Sequence, residues 1–227
     1  MTRVKICGVT DVPYARAAID AGADLMGVVF AASPRRVTHQ RAQEIAAIAK
    51  ERKVPVVGVF VNTPAADVNT VAAFCGLDMV QLSGDENWED CLKIDKPLIK
   101  AIHISSELGE KELLAQLEEG ERRLGAGHAV YLLDTIIDHR YGGTGRSFAW
   151  EIARQAAARF PLIIAGGLHP GNVGRVVAGL RPWGVDVSSG VETAGVKDAS
   201  KIITFVAAAR SATIRRGGRS DAGCDEE

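Results

Sequence analysis

Eight short apolar runs recur along the chain at intervals of about 27 residues, with helix-like segments between them. The runs fall at 3–7, 25–30, 55–61, 78–82, 97–102, 129–133, 161–165 and 184–188. Helical patterns cover 11–21, 38–50, 64–74, 106–123, 148–158, 171–179 and 198–209, with a short polar stretch near 86–93. Several runs are unbroken and β-branched, Pro55-Val56-Val57-Gly58-Val59-Phe60-Val61 above all. Parallel strands covered by helices read this way. Right-handed βα crossovers then leave two answers, an open doubly wound sheet or a closed barrel. Eight units with no reversal favour the α/β (β/α)8 barrel, the TIM-barrel architecture, as a single domain over residues 1–210.

A weak repeat supports the regular spacing. Gly22-Ala23-Asp24-Leu25, Gly76-Leu77-Asp78-Met79 and Gly184-Val185-Asp186-Val187 share a G-x-D-apolar pattern, with glycine spacings of 54 and 108 residues. Each reads as a glycine ending one element, a turn, and the next strand. Chance recurrence among 24 glycines is the alternative. Residues 211–227 carry three arginines and four acidic groups with little apolar content, so they read as a disordered tail.

Charge narrows the partners. Twenty-seven Lys plus Arg against 28 Asp plus Glu gives a net charge of -1, which supplies no pull toward nucleic acid or anionic lipid. No apolar stretch approaches the roughly 18 residues of a membrane span, and the N-terminus does not read as a signal peptide. Cys7, Cys75, Cys91 and Cys224 are widely spaced with no C-x-x-C, so they read as free thiols in a reducing, cytoplasmic compartment. No Walker or Rossmann fingerprint occurs, and neither a cofactor nor a metal is expected. Monomer and homodimer both stay open.

In such a barrel the chemistry sits at the C-terminal strand ends. Strand 1 ends in Lys5-Ile6-Cys7-Gly8, and alternation puts Lys5 and Cys7 on one face. A neighbouring cation favours thiolate, and an inert buried cysteine is the competing reading. Strand 8 flanks strand 1 in a closed barrel, so an inward Asp186 is placed to partner Lys5. The Ser33-Pro34-Arg35-Arg36 loop presents two arginines suited to a carboxylate, or merely solvated. Strand 6 ends at Asp134, inward by alternation, though a strand-end Asp also serves as a cap. Tyr141-Gly142-Gly143-Thr144-Gly145-Arg146-Ser147 is a glycine-rich loop opening a helix. The turns with Gly166 and Gly167 after strand 7, and with Ser188, Ser189 and Gly190 after strand 8, stand where these barrels hold a phosphate. A small phosphorylated molecule is therefore the expected partner.

These runs, with Val80-Gln81-Leu82, Ala165-Gly166-Gly167-Leu168 and Asp186-Val187-Ser188-Ser189-Gly190-Val191-Glu192, closely resemble the phosphoribosylanthranilate isomerases of tryptophan biosynthesis, in the same order from residue 5 to 198. Gly195, Lys197 and Asp198 fit as well. The resemblance implies a cofactor-free Amadori rearrangement with Asp134 as general acid and Cys7 as general base. It implies Arg35 on the anthranilate carboxylate, Gly166, Gly167, Ser188, Ser189 and Gly190 around the phosphate, and Asp186 on a sugar hydroxyl. Two positions depart from the family: Ser83 stands where His is usual and Ala149 where Asp is usual. Asp85 and Glu86 are expected to cap the helix that follows them. Competing readings are another phosphate-binding barrel, such as a sugar-phosphate epimerase or a histidine-pathway isomerase, and a non-catalytic sensor. Only His103 of the five histidines lies near a strand end, which argues against the epimerase.

Overall fold

The computed structural model describes residues 1–103, 109–134 and 148–214. Eight parallel strands run in chain order: β1 (Arg3–Cys7), β2 (Leu25–Val29), β3 (Val56–Phe60), β4 (Met79–Leu82), β5 (Leu98–His103), β6 (Ala129–Asp134), β7 (Leu162–Ala165) and β8 (Gly184–Val187). They close into a barrel, with β8 pairing back onto β1. The helices between and after them are α1 (Val12–Asp20), α2 (His39–Glu51), α3 (Ala65–Cys75), α4 (Trp88–Cys91), α5 (Glu110–Leu124), α6 (Phe148–Arg159), α7 (Val173–Leu180) and α8 (Ala199–Ile214). This is the (β/α)8 architecture expected from the spacing.

The strands are buried on both faces, as their unbroken apolar runs require; all five residues of β3 are buried. Outward residues such as Val4, Ile6, Met26, Val56 and Leu133 join the layer beneath the helices. Inward residues Leu25, Val57, Ile99, Ala101, Leu132, Ile163 and Ala165 fill the barrel itself. Two-residue alternation carries that inner face upward to Lys5, Cys7, Gln81, His103, Asp134 and Asp186. The chemistry therefore stands on a packed apolar floor.

The G-x-D repeat holds at two of its three places. Gly22 and Gly76 take positive φ of 86° and 66° in the turns after α1 and α3. Asp24 and Asp78 then accept hydrogen bonds from Val4 N (2.7 Å) and Val56 N (2.8 Å), tying the feet of neighbouring strands. At the third place the reading fails. Gly184 already lies in β8, the left-handed turn falls at Arg181 (φ 50°), and Asp186 stands inside the barrel. The 108-residue spacing is thus out of register with the structural repeat.

Two further expectations change. Asn87 caps α4, accepting from Asp90 N at 2.9 Å. Glu86 turns back instead, accepting from Asn62 N (2.8 Å), Gly84 N (2.9 Å) and Lys100 Nζ (2.8 Å). Asp85 donates its backbone N–H to Asn62 Oδ1. Both residues brace the rim between β3, β4 and β5. At the C-terminus α8 continues to Ile214, past the boundary expected at 210; the rest of the expected tail lies outside the described residues.

Candidate active site

β1 and β8 bring Lys5 and Asp186 into register as neighbours, Nζ 2.9 Å from Oδ1. Lys5 is 1% exposed. Burial alone would lower its pKa, but the carboxylate of Asp186 and the sulfur of Cys7 outweigh that and hold it charged. Cys7 is buried one inward step above. The space both occupy exists because β2 carries glycine there: a Cβ on Gly27 would sit 2.7 Å from Cys7 Sγ and 3.2 Å from Lys5 Nζ. A neighbouring cation was expected to favour thiolate. Burial instead dominates and pushes the thiol above its ordinary pKa, Lys5 pulls it down, and Asp186 pushes it up again. The pull of the Lys5 charge is thus opposed in part by its own partner.

Asp134 ends β6 at the mouth and is exposed there. The surrounding rim still withdraws enough water to raise its carboxyl pKa; the negative charge of Asp186 adds to the rise and His103 opposes it. β5 and β6 place His103 in register with Asp134. The imidazole Nε2 of His103 lies 2.8 Å from the Ser83 carbonyl oxygen, and Gln81 Nε2 donates to Ser83 Oγ at 2.9 Å. Gln81 is buried, and its Oε1 has no hydrogen-bond partner among the described residues. Ser83, the departure on strand 4, thus joins Gln81 to His103.

Arg35 reaches the mouth from the loop after β2, where its Cδ and the Ser188 hydroxyl crowd the space beside Gly8. Its guanidinium fork is already engaged, with Nε 2.7 Å from Glu192 Oε1 and Nη2 2.8 Å from Oε2. Glu192 also accepts from Lys197 Nζ at 2.6 Å. Burial opposes ionisation of Glu192, yet the bonds from Arg35 and Lys197 outweigh it and hold the carboxyl below its usual pKa. A two-stranded ribbon, β9 (Glu192–Thr193) and β10 (Val196–Lys197), sets Glu192 opposite Lys197. Its turn has positive φ at both Ala194 (51°) and Gly195 (80°), as the tightest hairpins require. Arg36 lies elsewhere, lining an outer cavity with Phe30, Val37, His39 and Phe74.

The turns after β7 and β8 meet beside Arg35. Gly166 and Gly167 take φ of 87° and 63°. Ser189 and Gly190 form a short 3-10 turn with Val191, entered through Ser188. A Cβ on Gly190 would collide with the Leu168 carbonyl, so the two turns pack against each other as closely as backbone allows. Beneath them Lys197 Nζ donates to the Ser188 carbonyl at 2.9 Å. The glycine-rich loop at 142–145 and the side chain of Ala149 lie outside the described residues.

Cys7, Arg35, Asp134, Asp186 and the two turns therefore share one end of the barrel, as the strand-end reading expected. Sequence reasoning gave no role to Lys197 or His103 and left Glu192 as part of a motif. Strand alternation would have found His103; only the turn at Ala194-Gly195 brings Lys197 onto Glu192.

The chain matches the family model for N-(5'-phosphoribosyl)anthranilate (PRA) isomerase over residues 4–208. It is 42% identical to N-(5'-phosphoribosyl)anthranilate isomerase of Dehalococcoides mccartyi over 218 residues, 95% of this chain and 99% of that one. The Roseiflexus sp. enzyme of the same name is 43% identical over 219 residues, 93% and 99% of the two chains. Among solved structures, phosphoribosyl anthranilate isomerase from Thermotoga maritima superposes with a TM-score of 0.79 at 36% identity, covering 93% of this chain and all (100%) of that one. Another, solved in complex with reduced 1-(o-carboxyphenylamino)-1-deoxyribulose 5-phosphate, gives a TM-score of 0.78 at 35% identity, with 93% and 100% coverage. The barrel, its mouth and these relatives agree: the chain belongs to the N-(5'-phosphoribosyl)anthranilate isomerase family.

Proposed function

We propose that this chain converts N-(5-phosphoribosyl)anthranilate to 1-(2-carboxyphenylamino)-1-deoxyribulose 5-phosphate, with Asp134 as general acid and Cys7 as general base. The Asp134 carboxyl gives its proton to the furanose ring oxygen, and the bond from that oxygen to C1 breaks. The nitrogen lone pair forms the open-chain iminium. The Cys7 thiolate takes the proton from C2, and the released electron pair closes the enamine. Uptake of a proton at C1, with loss of the proton from the C2 hydroxyl, then yields the ketone.

The observation that carries this reading is the meeting, at one barrel mouth, of a thiol backed by a buried cation and a carboxyl group whose pKa its surroundings raise. The turns at Gly166, Gly167, Ser188, Ser189 and Gly190 suit the substrate phosphate, and Asp186 suits a sugar hydroxyl. Arg35 has two nitrogens on Glu192, so its third, Nη1, is the atom we assign to the anthranilate carboxylate. The small-molecule substrate accounts for the site without a macromolecular partner. Cys7, Cys75 and Cys91 are free and buried, which supports a reducing, cytoplasmic setting.

Loss of phosphoribosylanthranilate fluorescence tests the activity directly. Asp134→Asn is expected to lower kcat at least about a hundredfold. A near-normal rate in that variant would remove Asp134 from the mechanism.

A further inference from the structure

His103 is a titratable group at the mouth that the chemistry above does not use. It ends β5 on the inner face that Ile99 and Ala101 occupy below it, and its ring is exposed. Its register partner is Asp134, on a strand about 4.8 Å away, which continues the inner face through Leu132. The Ser83 carbonyl lies 2.8 Å from Nε2. A carbonyl oxygen only accepts, so Nε2 carries the hydrogen and Nδ1 is the ring nitrogen with the lone pair.

Among the described residues, Asp134 is the acidic group in register with His103. From β4 it faces Gln81 and Ser83, both neutral. Lys100, on its own strand, points outward to Glu86 and the Gly84 carbonyl. Asp186 acts on the same Asp134 from β8. His103 therefore stands exposed at the mouth, in register with the carboxyl-bearing residue at the end of β6.

We propose that His103 is the proton relay that resets Asp134 between turnovers. The inference rests on the reading of Asp134 as the acid. Each turnover moves one proton from Asp134 to the sugar oxygen and one from C2 to Cys7. The enzyme is left with a carboxylate and a thiol, the reverse of what the next substrate needs. A solvent proton bound on the His103 ring passes through an intervening water to the Asp134 carboxylate, returning the ring to neutral. The Cys7 proton leaves to solvent, so one proton enters and one departs. His103 acts through Asp134 and is a positioning and relay residue.

Two variants separate this role from a structural one. In His103→Gln the amide N–H can keep the bond to the Ser83 carbonyl but carries no exchangeable charge. In His103→Ala the ring is gone and its space is open to added imidazole. The relay predicts that kcat falls about tenfold or more in both, while KM stays within about twofold. It also predicts that imidazole restores the alanine variant in a saturable manner. Wild-type kcat in His103→Gln overturns the relay and leaves the ring a purely structural role. A slowed His103→Ala that imidazole does not rescue overturns it as well. Asp134→Asn is measured alongside. An active Asp134→Asn sinks the acid assignment itself, whereas an inactive one with a normal His103→Gln sinks only the relay.

Discussion

Lys5 and Asp186 form an ion pair inside the barrel, Nζ 2.9 Å from Oδ1, with side-chain exposures of 1% and 10%. The pair settles how much help Cys7 receives. A lone buried ammonium beside a thiol would favour thiolate strongly, but this one is shared with a carboxylate that acts on the thiol in the opposite sense. Burial then decides, and the resting thiol stays protonated at neutral pH.

That balance fixes the shape of the pH profile. The proposed active form has Asp134 protonated and Cys7 ionised. In strong acid both groups hold protons and the base is missing. Loss of one proton, shared between the two sites, admits the active form, so kcat/KM rises as pH passes the Asp134 range. It stays flat while the proton count stays at one. It falls when the second proton leaves, at the ionisation of Cys7, which lies above the ordinary thiol value of about 8.5. An alkaline limb below that value would belong to some other group.

Removing the cation should act on both stability and chemistry. Lys5→Met leaves Asp186 buried without its partner, a loss of about 3–5 kcal/mol for a broken buried pair. It also deletes the charge that pulls the Cys7 pKa down, so the alkaline limb moves higher and the plateau falls. Chemical denaturation and a pH–rate series read the two effects separately. An unchanged profile in a folded variant would show that Lys5 is only structural.

Much of this arrangement was legible in the chain, and the reason is geometric. A strand has a fixed period of two, so naming Cys7 as inward also names Lys5, and barrel closure brings Asp186 beside it. Side chains on loops carry no such period. Arg35 was legible as a carboxylate ligand but not as a residue already forked onto Glu192. That contact depends on the Ala194-Gly195 hairpin turn, which sets Glu192, 157 positions along the chain from Arg35. The G-x-D spacing misled at Gly184 because α7 is capped by Arg181, in a left-handed conformation that glycine usually marks. Glu86 misled for a similar reason. An acid just before a helix is a common cap, but here Lys100 and two backbone N–H groups compete for it and win.

The chain end offers a stability test. Arg210 ties α8 to the foot of the barrel, donating to the Thr2 carbonyl (3.0 Å), the Gly22 carbonyl (3.0 Å) and Asp24 Oδ2 (2.6 Å). Ala212, two residues before the helix end, packs on the main core. A chain cut after Arg210 loses that contact and lets the Arg210 turn fray, whereas a cut after Ile214 removes none of the described contacts. The chain cut after Ile214 should melt within about 1 °C of the full chain. The shorter one should melt lower by several degrees, at roughly 2–4 °C per kcal/mol lost for a protein of this size. Equal melting points would show that the last turn of α8 contributes nothing.

Arg35 separates binding from proton transfer. The anthranilate carboxylate stays charged from substrate to product, so a guanidinium that holds it stabilises ground and transition states alike, and its loss belongs in KM. Charge-assisted hydrogen bonds contribute about 1.5–3 kcal/mol each, which places the rise for Arg35→Ala at roughly ten- to a hundredfold, with kcat changed far less. Glu192→Gln keeps an oxygen that can accept from the guanidinium but removes the charge that orders it, so its KM should rise by a smaller factor. Arg36→Ala serves as the control, since that side chain lines the outer cavity with Phe30 and Phe74 and should leave KM unchanged. A larger effect at Arg36 than at Arg35 would move the carboxylate site off the barrel mouth. A fall in kcat at constant KM in Arg35→Ala would instead place the guanidinium in the chemical step, where it would have to stabilise charge that develops only during ring opening.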